Sequence, residues 1–509
     1  MTRRYLLSKQ TFFYDGATLI SDLPIKGNLT KTRSYSGADT FVETSSTFNA
    51  FGQPTSFTDG NGNTTSITYD TYNLYPTTIT NAKGHGTHYE HNYLVGDLEL
   101  VTDPNGNQQA FTFDALGRLT DIQKTHPQTG TLFPTKTITY DLSASPSSIY
   151  TEDHLGHSNI AVSKRLYFDG LGRPVQVFVE AEDTETSSVN FIVSSTLYDT
   201  KGRVRKTTLP KFTIGNAFEA IDGDDLGITT TYDALDRPLT IMTPVGISNT
   251  AYDGWSQTVT DANGHQKTLT YNSRSNLIQV TENNTGQQYQ TVYEYDLNGN
   301  LIKITDAEGN VKHLAYDMLG RKLSAELLHN PDTLTSARHT YSYDNNGNLI
   351  ESAGPNGNVL TTTYDELNRP LTETATHPDE VAITTMYSYD TSPNGIGQVS
   401  SIVSPDVTKA FEYDTLGNVA QETKTVLNAS YATAYQHDLQ GNLQRITYPG
   451  GSTIQYSYNT AGLPEGIFRC PNGTDACVPQ SVVTNIDHNA AGLLQSMTYA
   501  NVHPHHQNL

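Results

Sequence analysis

The 509-residue sequence predicts an all-β chain of serial antiparallel β-hairpins, on three observations. An aromatic-Asp pair recurs along the chain, Asp, Asn and Gly punctuate nearly every window, and the residues between them alternate in twos. The same punctuation leaves no window long enough for a 3.6-residue apolar stripe, so helices are nearly absent from the expectation.

The anchor of each repeat is an aromatic residue, Asp, two variable residues, Gly, then Arg or Asn. Clear copies are Phe113-Asp114 with Gly117 and Arg118, Phe168-Asp169 with Gly172 and Arg173, and Tyr198-Asp199 with Gly202 and Arg203. Tyr295-Asp296 with Gly299, Tyr316-Asp317 with Gly320 and Arg321, Tyr343-Asp344 with Gly347, and Tyr413-Asp414 with Gly417 continue it. Weaker copies change one position: Tyr69-Asp70 has Asn73 in place of Gly, Tyr232-Asp233 has Asp236, and Tyr364-Asp365 has Asn368. From Tyr295 onward the anchors are spaced 21 to 27 residues apart, the mark of a repeat architecture.

Each period contains a second turn signal, as in Asp59-Gly60-Asn61-Gly62-Asn63, Asp103-Pro104-Asn105-Gly106-Asn107, and the runs beginning at Asp261 and Asp306. An Asp that opens a turn accepts backbone N–H groups, and a Gly three residues later takes positive φ without strain. That combination closes a hairpin on a glycine bulge. The strands follow from alternation: Ile454, Tyr456 and Tyr458 share one face, and Ile228, Thr230 and Tyr232 repeat the arrangement. The organisation is a head over 1–45 with weak repeats, an array over 46–500, and an out-of-pattern tail over 501–509. Stretches 125–134, 181–189, 210–225 and 469–487 read as longer loops.

Composition bounds the rest. Recounted without tyrosine and with glycine, the apolar share is about 37%, below the ~45–50% of compact globules, so the expected structure is thin. A net charge of −22 argues against nucleic-acid binding and acidic membrane surfaces. No apolar run is long enough for a membrane helix or an export signal. The two cysteines, Cys470 and Cys477, flank a turn and are equally compatible with one hairpin-bridging disulfide or with two thiols.

The tyrosine-aspartate repeats, with their Gly-Arg or Gly-Asn step and intervening Asp-Pro-Asn-Gly-Asn turns, resemble the YD repeats of the RHS family. That family includes teneurins, polymorphic toxins and the B and C components of insecticidal toxin complexes. The resemblance covers nearly the whole chain. It implies a curved or spiralling hairpin strip, part of a hollow shell, that encloses a cytotoxic domain in the bacterial toxins and serves as an extracellular adhesion scaffold in teneurins. Implied with it are an adjoining or separate shell polypeptide and an enclosed toxin domain as partners, and a secreted or cell-surface location. The family's terminal core-associated region, which bears an aspartic self-cleavage site, has no counterpart here, and Asp103-Pro104-Asn105-Gly106 reads as an ordinary repeat turn. The array stops abruptly before 501–509, which reads as a truncated or split shell segment.

Candidate chemistry reduces to turn chemistry. The Asp59 run lacks the Gly at position six and the Glu at position twelve of a calcium loop. His85, His88 and His91 do not share the spacing of a metal helix and read as a solvated strand edge, while His503, His505 and His506 fall in the tail. No metal, cofactor or catalytic residue is expected, because the carboxylates recur as the Asp of every turn. Arg118, Arg173, Arg203 and Arg321, each just beyond a turn glycine, could pair with a nearby Asp, an exposed pair worth only ~0–1 kcal/mol, and read chiefly as residues that keep strand surfaces soluble. Three functions follow: a shell segment around a toxic polypeptide carried elsewhere, an adhesion or carbohydrate-binding surface protein, or, least supported, a self-processing protease. A non-functional fragment is the remaining alternative to the shell.

Overall fold

The structure is a computed structural model that describes residues 8–126, 129–154, 161–181, 190–284, 286–331, 337–459, 461–471 and 479–500. Among these residues there are 41 β-strands and no helix. Strands follow one another as antiparallel neighbours: Gln10–Tyr14 pairs with Leu29–Tyr35, which pairs with Phe41–Phe48, which pairs with Pro54–Thr58. Pairing runs through residue 45 without a break. The tail at 501–509 and Cys477 lie outside the described residues. Cys470 is buried at 4% exposure and disulfide-bonded.

The chain divides into two units. One comprises residues 1–88, 248–388 and 402–405, the other residues 89–247, 389–401 and 406–509.

In both units the ladder shows the same irregularity at each anchor. The pairing register shifts between Ser342 and Tyr343 and again between Leu197 and Tyr198, a one-residue bulge beside the turn. Gly117 sits there at φ 76°, where a residue with a Cβ pays strain. Asn73, Asp236 and Asn368 take the same left-handed conformation at φ 54°, 65° and 61°, which is why Asn and Asp replace Gly in the weaker copies.

Burial is shallow, as expected of a strip whose strands meet solvent on both faces. A closed cluster of buried hydrophobics forms in the second unit from Tyr167, Phe178, Phe191 and Val193, with Phe178 fully buried. Three of the expected loops contain strand residues: in 125–134 the strand Leu132–Asp141 begins and pairs with Leu119–Thr125. Lys211–Ile214 is a strand on Asn190–Tyr198, and Gln480–His488 pairs with Pro464–Cys470. Phe212 and Ile214, two apart, and Val483 and Ile486, on either side of a register shift, supply strand residues that the surrounding Gly, Pro and Asp obscured.

Candidate functional site: the turn ladder

Each predicted anchor aromatic is the last residue of a strand: Phe113, Phe168, Tyr198, Tyr295, Tyr316, Tyr343 and Tyr413. The following five residues close on themselves. Asp114 N–H donates to Arg118 O at 2.9 Å, and Gly117 N–H donates to Asp114 O at 3.0 Å. The Asp114 carboxylate then caps the turn from within. Its Oδ1 accepts the N–H groups of Leu116 and Arg118 at 2.9 and 3.0 Å, and its Oδ2 accepts Arg118 Nε at 2.7 Å. Asp169, Asp199 and Asp317 repeat this with Arg173, Arg203 and Arg321, each at 2.7 Å. Where Asn holds the fifth position its amide replaces the guanidinium, at 2.8 Å for both Asp296–Asn300 and Asp344–Asn348 and 3.1 Å for Asp414–Asn418.

The second turn signal is the same cassette. Asp103 accepts Asn105 N–H and Asn107 N–H at 2.8 Å and the Asn107 amide at 3.0 Å. Asp59 does likewise for Asn61 and Asn63, so its oxygens are engaged by amide donors rather than arranged for calcium. His85 also belongs to such a turn, donating its N–H to Asn81 Oδ1 at 3.0 Å. Among the described residues no three His, Cys, Asp or Glu side chains gather as a metal-holding group.

These contacts favour the ionised carboxylate. The Arg118 guanidinium, then its backbone N–H, holds the Asp114 carboxyl below the usual carboxylate range, and Arg173 does the same for Asp169. At Asp199 and Asp365 burial opposes ionisation, but the hydrogen bonds from Arg203 and Arg369 outweigh it.

The anchor tyrosines and turn arginines couple neighbouring repeats. Tyr198 Oη donates to Pro174 O at 2.8 Å, and Tyr343 Oη donates to Lys322 O at 2.9 Å. The accepting residue is in each case the one that follows the arginine of the preceding turn. That arginine lies over the tyrosine ring: Arg173 is 4.3 Å from the Tyr198 centroid, and Arg321 is 5.3 Å from that of Tyr343. The arginines are therefore clamped by Asp and stacked on Tyr, which corrects the reading of them as solubilising residues. Tyr140, followed by Asp141, is a further anchor that the aromatic-Asp-x-x-Gly pattern does not include. Its hydroxyl donates to Leu119 O at 3.0 Å beneath Arg118, 4.4 Å from the ring. Its Tyr-Asp pair is the signal that would have found it; the glycine that should follow is missing. Burial raises the hydroxyl pKa of Tyr295, Tyr316, Tyr343, Tyr413 and Tyr458.

The turns also meet turns far away in sequence. In the first unit Asn61 Nδ2 donates to Asp344 Oδ2 at 2.9 Å, and Asn346 Nδ2 donates to Asp59 Oδ2 at 2.6 Å. Met318 N–H donates to Ser36 O at 3.1 Å, and Lys83 pairs with Glu366 at 2.9 Å. In the second unit the Asn105 side chain pairs with both main-chain groups of Ile396, at 2.9 and 3.1 Å, and Gln440 Nε2 donates to His154 O at 2.6 Å. A cavity of about 360 Å³ in this unit is lined by Asp103, Gln108, Lys124, Asn418 and Gln440.

This ladder has known counterparts. The Teneurin YD-shell family model matches residues 252–400. No curated protein sequence matches the chain. Its fold is similar to that of the TcdB2-TccC3 crystal structure, at a TM-score of 0.84 and 16% identity over 97% of this chain and 31% of the other. It is similar at a TM-score of 0.84 and 15% identity to TcdB2-TccC3-Cdc42, over 97% of this chain and 33% of the other. The Photorhabdus luminescens Tc holotoxin pore gives 0.82 and 15%, again over 97% and 33%. The chain thus spans about a third of the length of these structures. Over residues 252–400 the Tyr-Asp cassette, closed by Asp and tied by Tyr to its predecessor, matches the Teneurin YD-shell family model, and over nearly the whole chain the fold is similar to that of the toxin-complex structures.

Proposed function

We propose that the chain is a wall segment of a shell that keeps a toxic polypeptide, carried elsewhere, away from its surroundings. The observation that carries this reading is the docking of turns on turns 283 to 291 residues apart, in each unit. A strip that only displays strands needs no such contacts; a strip that returns to itself as a continuous wall does. The fold likeness to toxin-complex structures over 97% of the chain supports the same reading. The partners are then an adjoining or separate repeat polypeptide and the enclosed toxin domain, outside the cell that makes them.

Small-angle scattering with electron microscopy on the purified chain tests it. A curved or hollow particle agrees with a wall segment; a solid globule or a straight rod sinks it.

Adhesion through carbohydrate is the second reading, favoured by one feature of the first unit. Tyr289, 45% exposed, lines an open cavity of about 540 Å³ with Asp261, Gln266, Lys267, Glu282 and Asn283. An aromatic face beside amides and charged groups is suited to a sugar ring. Glycan-array binding lost in Tyr289→Ala would establish this reading.

A further inference from the structure

The second unit holds a segment of its own chain as a receptor holds a peptide. Residues 215–226 follow the strand Lys211–Ile214 and form no strand themselves. From Asn216 to Glu219 the main chain is held by side chains of the sheet. The Gln176 carboxamide meets Glu219 at two points, its Oε1 accepting Glu219 N–H at 2.9 Å and its Nε2 donating to Glu219 O at 3.3 Å. Tyr167 Oη donates to Asn216 O at 2.9 Å, and Arg165 Nη1 donates to Asn216 Oδ1 at 3.3 Å. Phe218 packs on Tyr167 with ring centroids 5.3 Å apart, and the Glu219 carboxylate accepts the Thr213 hydroxyl.

The receiving face is built, and part of the segment seated on it stays open to solvent. Gln176 is 2% exposed, oriented by a 2.9 Å bond to Ser195 Oγ, and sits beside the closed Tyr167, Phe178 and Val193 cluster. Phe218 remains 39% exposed, Gly215 turns at φ 73°, and Gly223 has open space around it. A glutamine that pairs with both main-chain groups of one residue does what a neighbouring strand does, and flanking pockets for alternate side chains add selectivity. The arrangement reads main chain first, then Asn, then an aromatic ring, then a carboxylate.

We infer that the face around Gln176 is a recognition site for an extended polypeptide of pattern Asn-x-Phe-Glu, filled in the resting chain by residues 216–219. This deepens the reading of the chain as a wall around a polypeptide, because it gives the wall a place and a mode for gripping an unfolded segment. The site is defined by its own residues and stands or falls separately from whether the particle is hollow.

A tethered occupant has an effective concentration near millimolar, so the resting chain should exclude a free peptide that a released chain accepts. The test is fluorescence anisotropy with the labelled peptide Gly-Asn-Ala-Phe-Glu-Ala. The expected result is saturable binding to the double variant Asn216→Gly/Phe218→Ser, at least tenfold weaker binding to the native chain, and none after adding Gln176→Leu. Equal binding of a scrambled peptide, or no binding to a released variant whose circular dichroism and melting match the native chain, would overturn it. If the released variant does not fold, hydrogen exchange on the native chain decides. Millimolar peptide should speed exchange of Glu219 N–H, and unchanged exchange there would equally overturn the assignment.

Discussion

Asn346 donates its side-chain amide to Asp59 across 2.6 Å, joining two hairpin turns 287 residues apart. The bond is reciprocated by Asn61 and Asp344, so two copies of one cassette recognise each other through the residues that vary within it. An aspartate fully capped by its own turn still has lone pairs to offer outward, and an asparagine at the third position supplies the matching donor.

Replacing Asn346 by Asp puts carboxylate against carboxylate at this junction. The expected cost is about 1–3 kcal/mol, the penalty for a part-buried polar group that loses its partner, measured as a lower urea midpoint. The double variant Asn346→Asp/Asp59→Asn should recover part of it. An unchanged midpoint in the single variant would mean that the junction does not persist in solution.

Gly60 makes the same junction sensitive to volume. A Cβ there would lie 2.6 Å from both Asn345 O and Val42 Cγ1, whereas at Gly62 it would meet nothing within 4 Å but would carry the strain of φ 90°. Gly60→Ala should therefore speed hydrogen exchange at the Asn61 and Asn346 amides, whereas the effect of Gly62→Ala stays within the 59–63 turn. Equal exchange changes in the two variants would contradict this.

The tie between repeats is testable at Tyr343. Tyr343→Phe keeps the ring under Arg321 and removes the bond to Lys322 O, for an expected loss of about 0.5–1.5 kcal/mol. Arg321→Lys keeps the charge but forfeits the fork on Asp317 and the planar stack. Because both changes act on one contact, a double-mutant cycle should give a nonzero coupling energy, and simple additivity would count against it. Phe113 and Phe168, which stand at anchor positions, indicate that loss of the hydroxyl alone is survivable.

Acid should unfold the ladder. Asp59, Asp114, Asp169, Asp233 and Asp365 all have carboxyl pKa values lowered by their turns, and Asp15, which receives Gly27, Lys26, Ile25 and Asn28 N–H groups, is lowered to about 2. A depressed folded value means the stabilisation is complete above the unfolded value near 3.8 and is lost as pH falls through the lower folded values. Melting temperature should hold from pH 7 to about 5 and drop steeply between about 4 and 2. A flat profile down to pH 2.5 would show that the turns do not depend on ionised Asp.

The hairpin character was readable because it is local: five residues specify each turn, and alternation specifies each strand. Asp114 with Gly117 and Arg118 announces its own geometry, and so does Asp296 with Gly299. What lies between repeats was less visible. The stacking of Arg173 on Tyr198 spans 25 residues at a separation that varies from repeat to repeat, so no fixed spacing betrays it. The meeting of Asn61 with Asp344 joins turns 283 residues apart, a separation that no local window of sequence contains. The Asn216 to Glu219 segment was hidden for another reason: the glycines and acids around it look like loop, and only the receiving Gln176 reveals a role.

The self-sufficiency of the cassette bears on how such chains change over generations. Asp114 satisfies donors within its own five residues and asks nothing chemical of a distant partner, so a duplicated or deleted hairpin leaves every other cassette whole. The few turns that clasp a remote counterpart, those at Asp59 and Asp344 among them, are exempt from this freedom, because an added hairpin between them would slide each past its mate. Length polymorphism should thus accumulate outside the stretches that such pairs bracket, and inside them only in amounts that bring another matching turn into place.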